Sequence, residues 1–188
     1  VIQKYNGTMT LDDLRNYEVK SREVVKMNYR GVELHGIGAP AGGAVSLNIL
    51  KIMEQYDVAD WDRDSHLTMH RFDEAMRFAY SARLELGDPD FVTDMSSFEA
   101  KMVSEENARE IYRRIMDNQT MPVDSYDPKG MYTSDSHGTS HIVTADASGM
   151  ATSLTTTVNI LFGACIMDNV TGVIMYVPQH APPSNCNC

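Results

Sequence analysis

The sequence predicts a mixed α/β chain, with helices and one hairpin in its first 115 residues and strand-rich from residue 139 onward. Three observations carry this. Apolar residues recur at helical spacing between residues 64 and 86 and again between 104 and 115. A hairpin pattern surrounds Arg30-Gly31. The stretch from Thr139 to about residue 175 holds short β-branched runs separated by turn signals.

In chain order, Met9 to Leu14 reads as a short helix start, with Thr10 as cap and Asp13 at the positive end of the helix dipole. Residues 22 to 37 read as the hairpin, with Val24, Val25, Met27, Tyr29, Val32, Leu34 and Ile37 as its apolar positions. Residues 36 to 43 are rich in Gly and Pro. They lack the Lys-Ser/Thr of a phosphate-binding loop, so they read as a tight lead into a helix over about 43–55. Asp64 or Ser65 opens the longest helix, running to about Leu86, with Leu67, Phe72, Ala75, Met76, Ala79 and Ala82 on its inner face and Gly87 as its stop. Ser104 caps a further helix with Glu105 and Glu106 in its first turn. Ala108, Ile111, Tyr112 and Ile115 face inward, and Arg109, Arg113 and Arg114 form a solvated face. Residues 117–138, with Pro122, Pro128 and Gly130 and few apolar residues, read as an exposed, mobile linker.

Composition narrows the function. The 188 residues carry 43% hydrophobic content, enough for one ordinary core, and a formal net charge of -10. That charge argues against a nucleic-acid backbone as partner and offers no basic patch for an anionic membrane. No apolar run approaches the roughly 20 residues of a membrane-spanning helix. The chain begins with Val1 rather than Met, so it reads as a piece of something longer. Cys165, Cys186 and Cys188 do not make a disulfide framework or a structural zinc site. His66 and His70 sit four apart on the long helix, but no Glu and third ligand follow in zinc-protease order. No metal site is expected. Asn6, Asn118 and Asn169 open glycosylation sequons and point to a secretory route.

The chemistry converges on Gly138-Thr139-Ser140-His141. A threonine hydroxyl is a weak nucleophile until a base takes its proton, and its own α-amine can serve once the chain is cut before it. Gly138 suits such a cut because it tolerates a strained backbone. After Thr139 the chain runs through Asp146-Ala147-Ser148-Gly149, then Thr155-Thr156-Thr157-Val158-Asn159 with Phe162-Gly163, then Thr171-Gly172-Val173. This order resembles the small-subunit start of the γ-glutamyltranspeptidases (glutathione hydrolases), written T-x-H-x-S/T-V-x-D-x-x-G, T-x-T-x-N-x-x-F-G and G-I/V-x-x. Upstream, Met9 to Tyr17, Tyr29-Arg30-Gly31 and Pro40-Ala41-Gly42-Gly43 resemble that family's M-T-x-x-D-L-x-x-Y, Y-R-G and P-x-S-G-G segments. Ala41 stands where the family usually has serine.

The resemblance implies a partial, incomplete αββα sandwich of the N-terminal-nucleophile hydrolase type. It implies residues 1–138 as the later part of a large-subunit region, 139–175 as the start of a small-subunit region and 176–188 as a divergent tail. It implies Thr139 as nucleophile, self-cleavage between Gly138 and Thr139, Thr157 orienting the nucleophile and Asn159 holding the α-amino or α-carboxylate end of a γ-glutamyl group. The expected substrates are glutathione and other γ-glutamyl compounds, with amino acids, peptides or water as acceptors. No cofactor is expected, and the place of work is extracellular or at a membrane surface. The tail departs from the family: acidic substrate contacts, paired serines and the paired glycines of the oxyanion hole do not follow residue 175, and the family's carboxylate-binding arginine would lie before Val1. Two alternatives therefore stand: an inactive, unprocessed fragment that associates with missing family segments, or a related β-lactam acylase.

Overall fold

The computed structural model describes residues 2–5, 7–59, 61, 64–131, 138–159 and 162–175. The tail from 176, Asn6 and the end of the expected linker lie outside them. The chain divides into two compact units, one of residues 20–133 and one combining residues 1–19 with 134–188. The described residues are mixed α and β, as expected. Their strands form two antiparallel pairs.

The unit of residues 20–133 begins with strands β1 (Val24–Tyr29) and β2 (Val32–Ile37), joined at Arg30 and Gly31. Both turn residues have positive φ, 50° and 86°, the two-residue turn whose twist matches that of the strands. Arg30 holds a conformation usually left to glycine because its surroundings fix it. Its N–H donates to Glu54 Oε1 at 2.5 Å, its guanidinium donates to the Tyr56 carbonyl at 2.9 Å, and it lies over the rings of Tyr29 and Trp61. The hairpin tip is thereby fastened to the end of helix α2 (Gly43–Met53). At the other end α2 comes so close to β2 that a Cβ on Gly43 would collide with the Ile37 backbone. The Gly-rich lead is a steric requirement, not a phosphate cradle.

Helix α2 packs on α3 (Ser65–Arg83) and α5 (Glu105–Arg114). Ala44, Ile52 and Met53 of α2, Ala75 and Ala79 of α3, and Ala108 of α5 are almost wholly buried. Small residues at these positions let the helices approach closely. Both expected caps form: Asp64 accepts from Leu67 N–H at 3.0 Å and Ser104 from Asn107 N–H at 3.2 Å.

The structure corrects several expectations. Helix α3 ends at Arg83, and its buried face includes Phe78 and the carboxylate of Glu74, while Leu67, Phe72, Met76 and Ala82 are only half-buried. Tyr112 does not point inward. It is 40% exposed, with its ring edge-on to Tyr56 at 4.8 Å. Arg114 is not merely solvated, since it caps the Phe78 ring and donates to the Ser125 carbonyl. An unforeseen helix, α4 (Met95–Met102), buries Met95, Glu99 and Met102. The stretch read as an exposed linker is bridged through Gln119 to Met116 just before it and contains a one-turn helix, α6 (Val123–Tyr126), with Tyr126 and Asp127 buried.

In the other unit, a 3-10 turn (Ile2–Tyr5) precedes α1 (Leu11–Arg15). Thr10 and Asp13 form a reciprocal capping box there, as their spacing predicts. Strands β3 (Gly138–Ala145) and β4 (Ala151–Asn159) make the second antiparallel pair, and a bridge joins Met167 to Ile174. Cys165 is disulfide-bonded. Three cysteines allow at most one bridge within the chain, which is short of a framework.

Candidate active site

The β3–β4 hairpin is built from its turn. Asp146 Oδ1 accepts from Ser148 N–H, Ser148 Oγ–H and Met150 N–H, and Gly149 takes φ 87°. The Ser148 hydroxyl and these backbone donors hold the Asp146 carboxyl below the usual carboxylate range. The register then runs from Ala145 opposite Ala151 to Ser140 opposite Thr156.

At the open end the register shifts. Gly138 pairs with Asn159 while Ser140 pairs with Thr156, so β4 carries one extra residue against Thr139. This is a β-bulge, a feature that bends a strand and re-aims a side chain. Strand alternation places Thr139 with His141 on one face of β3, and Thr155 with Thr157 on the matching face of β4. Ser140, Ile142, Thr152, Leu154 and Thr156 share the other face.

Gly138, Thr139, Thr157 and Asn159 therefore meet at one end of one hairpin. Thr139 and Thr157 are both exposed. The regular register by itself points Thr139 toward Thr157; the extra residue of the bulge sets Asn159, in place of Val158, opposite Gly138, and the sequence gives no sign of it. Gly138 and Thr139 are consecutive residues of a continuous strand.

A residue not singled out from sequence stands on the same face. His141 Nδ1 lies 2.8 Å from Thr155 Oγ1 and its Nε2 lies 3.0 Å from Ser153 Oγ. Both ring nitrogens are engaged, so the ring is held flat along β4. The signal for it was present: in an antiparallel pair, Ser and Thr two apart on one strand can bracket a ring opposite them.

The other expected positions are spread out. Asn118 sits in the exposed Met116–Gln119 turn, and Asn169 is exposed in the turn before Thr171. His70 Nε2 donates to the Met116 carbonyl at 2.8 Å, a structural bond, while His66 is exposed. Among the described residues no group of three or more His, Cys, Asp or Glu could hold a metal ion, and no helix is long and apolar enough to cross a membrane. Two clefts, of about 520 and 440 Å³, belong to the unit of residues 20–133 and share Glu23, Ser96 and Glu99. No hairpin residue of β3 or β4 lines either.

Comparison with known proteins bears on this arrangement. The family model of γ-glutamyltranspeptidase matches residues 1–177. A glutathione hydrolase proenzyme of Arthroderma benhamiae is 46% identical over 170 residues, covering 90% of this chain and 29% of that protein. A glutathione hydrolase of Aspergillus flavus is 40% identical over 190 residues, covering 97% of this chain and 32% of its own length. The chain thus spans about a third of the length of these relatives. Among solved structures, Helicobacter pylori γ-glutamyltranspeptidase superposes with a TM-score of 0.61 at 29% identity, over 71% of this chain and 39% of that one. A cephalosporin acylase from Bacillus halodurans gives a TM-score of 0.67 at 23% identity, over 93% of this chain and 30% of that one, a likeness of fold alone. The fold class is that of the N-terminal-nucleophile hydrolases. On the match over residues 1–177, supported by relatives at 46% and 40% identity, the chain belongs to the γ-glutamyltranspeptidase family.

Proposed function

We propose that Thr139 is the nucleophile of a γ-glutamyltransferase/glutathione hydrolase, and that the chain cleaves itself between Gly138 and Thr139. The observation that supports this is the β3–β4 register, in which Gly138 pairs with Asn159 and the exposed Thr139 and Thr157 lie at the same strand end. The relatives' names, glutathione hydrolase and proenzyme, agree with both halves of the reading.

In the first reaction the Thr139 hydroxyl attacks the Gly138 carbonyl carbon. The C–N bond breaks, an ester forms on Oγ, and the hydroxyl proton passes to the freed amine. Water then hydrolyses the ester, leaving a carboxylate at Gly138 and the restored hydroxyl on a new N-terminus. Residues 1–138 become one piece, and the residues from 139 begin the other.

In the second reaction that α-amine, with an unperturbed pKa of about 8, takes the proton as Thr139 Oγ attacks the γ-amide carbonyl of glutathione. The leaving amine takes the proton, and water or an acceptor amine then receives the γ-glutamyl group from Oγ. Thr157 orients the hydroxyl, and Asn159 holds the α-amino or α-carboxylate end of the glutamyl group. No step calls for a metal or organic cofactor. The exposed sequons Asn118 and Asn169 support synthesis in the secretory pathway.

Intact mass on a denaturing gel fraction tests the first step. We expect a break before Thr139 in the wild type and one chain of 21.0 kDa in Thr139→Ala. Release of a chromogenic γ-glutamyl anilide tests the second, and a glutaryl side chain in its place distinguishes an acylase. An unbroken wild type that releases nothing identifies an inactive family segment instead.

A further inference from the structure

Strand β1 is paired on one side only. Among the described residues its sheet has two strands, and β2 takes one edge. In a hairpin closed by a two-residue turn the last pair, here Tyr29 with Val32, exchanges both backbone bonds, and bonded pairs then alternate with non-bonded ones. Val25 and Met27 therefore direct their N–H and C=O groups to β2, while those of Val24, Lys26 and Asn28 point the other way. Lys51 Nζ donates to the Asn28 carbonyl at 3.2 Å, in keeping with that outward direction. No described residue bonds the outward backbone groups of Val24 and Lys26. An edge of this kind is a template for another strand.

The cleft of about 520 Å³ runs along this edge. Six consecutive residues, Glu23 to Asn28, line it, whereas a cleft over the face of a sheet would meet every second residue. Ser96, Glu99, Ala100 and Val103, from one side of α4 and its end, form the opposite wall. The second cleft adjoins the first at Glu23, Ser96 and Glu99. Glu99 stands where the two meet and is only 7% exposed. Its Oε1 accepts the Ala39 N–H at 2.6 Å, and its Oε2 takes no hydrogen bond from a described residue. A Cβ on Gly38 would lie 3.5 Å from Oε2, so the absence of a side chain there leaves that oxygen uncovered. A buried carboxylate oxygen without a donor is unfavourable, and a cation brought to Oε2 would offset that.

The surrounding charges keep this junction acidic. Glu23 has no ion pair among the described residues. Lys51 is held by Glu54 Oε2 at 2.5 Å and Glu105 Oε2 at 3.2 Å, and Arg22 by Asp88 at 2.7 Å and Asp90 at 3.3 Å. Lys26 is exposed on the hairpin. Among the described residues no group of three or more His, Cys, Asp or Glu could hold a metal ion, so the cation that fits Glu99 is an organic one.

We propose that β1 accepts an extended segment as a third strand of its sheet, with a Lys or Arg side chain of that segment on Glu99 Oε2, and that the segment belongs to the part of a longer protein outside residues 1–188. The stretches matched are 29% and 32% of the two fungal relatives, so about two thirds of such a chain is available to supply it. Bonds to the backbone of Val24 and Lys26 give the affinity, and the acidic junction sets which segment docks and in what register. The proposal is independent of the Thr139 reading.

The test uses the full chain and short overlapping peptides that tile the Arthroderma benhamiae relative outside its matched region. Binding is followed by fluorescence anisotropy, and its place by amide exchange. We expect a peptide containing Lys or Arg to bind and to slow exchange at Val24 and Lys26. Replacing its basic residue by Glu, or Glu99→Gln in the chain, should weaken binding about tenfold or more, the scale of one charge-assisted bond. Glu99→Gln keeps a carbonyl for the Ala39 N–H. Lys26→Pro removes an outward N–H, leaves the bonds to β2 in place, and should abolish binding with little change in melting. Three results overturn the proposal: no peptide binds; the bound peptide is indifferent to Glu99→Gln and Lys26→Pro; or the chain alone forms a dimer that Lys26→Pro dissolves, which makes a second copy the occupant. If either variant fails to fold, charge reversal on the peptide decides, unchanged binding counting against Glu99. None of these results bears on cleavage before Thr139, which intact mass reads separately.

Discussion

His141 stands directly opposite Thr155 in the β3–β4 register, with its Nδ1 2.8 Å from the threonine hydroxyl. Ser153 holds the other ring nitrogen, so one side chain of β3 is tied to two of β4. Cross-strand pairs of this kind are each worth about 0.2–1 kcal/mol. His141→Ala should therefore speed amide exchange across β3 and β4 by roughly two- to fivefold. Exchange in α2 and α3 should not change. Acceleration spread over the whole chain would show that the ring is not a local clamp.

Ile52 is fully buried between α2 and its neighbours. Ile52→Ala should cost about 2–5 kcal/mol, the usual range for an emptied core site. Denaturant unfolding followed by Trp61 fluorescence would measure it, since the chain's single tryptophan belongs to the same unit.

Two glycines should answer differently to alanine. At Gly43 a Cβ would meet the Ile37 backbone, which cannot move aside without opening the β2–α2 junction. Gly43→Ala should destabilise by about 1–3 kcal/mol. At Gly130 nothing lies within 4 Å of a built Cβ, and only the positive φ of 62° opposes substitution. Gly130→Ala should lower the melting temperature less, as side-by-side thermal scans would reveal.

Arg71 grips Asp117 with two bonds of 2.8 Å and holds its carboxyl below the usual range. A carboxyl with a depressed folded-state value stabilises fully above its unfolded value, near 3.9, and loses that contribution as pH falls through the lower folded one. Asp117 is half exposed, so solvent screening keeps the contribution under about 1 kcal/mol. Asp117→Asn should thus be slightly less stable than wild type at pH 7, and the gap should narrow below about pH 4. A gap that widens in acid would reverse the assignment.

The parts legible in the sequence are those set by neighbours along the chain. Thr10 with Asp13, Asp64, Ser104, the Arg30-Gly31 turn and the Asp146–Gly149 turn each act within four residues, and each forms as expected. Helix α4 escaped because Asp94, with φ 62°, supplies no side-chain cap, and one of the three buried positions on its face is Glu99. Glu99 accepts the Ala39 N–H at 2.6 Å, a partner 60 residues away that no local pattern reveals. The buried Glu74–Tyr126 pair was hidden for the same reason, and so the segment around Tyr126 read as loop. At the candidate site the residue types were visible in order, but the register that groups them, and the bulge that sets Asn159 opposite Gly138, depend on how two strands align.

The alignment of β3 with β4 has a consequence for the side of the ribbon on which Thr139 emerges. Sliding one strand past the other by a single position exchanges its two sides. Thr139 would then share a side with Leu154 and Thr156 of β4 rather than with Thr155 and Thr157. What guards against that slip is the Asp146 carboxylate, seven residues downstream, which counts out the corner between the strands. An insertion beside Ala147 would leave every reacting group in the polypeptide and still point its hydroxyl the wrong way.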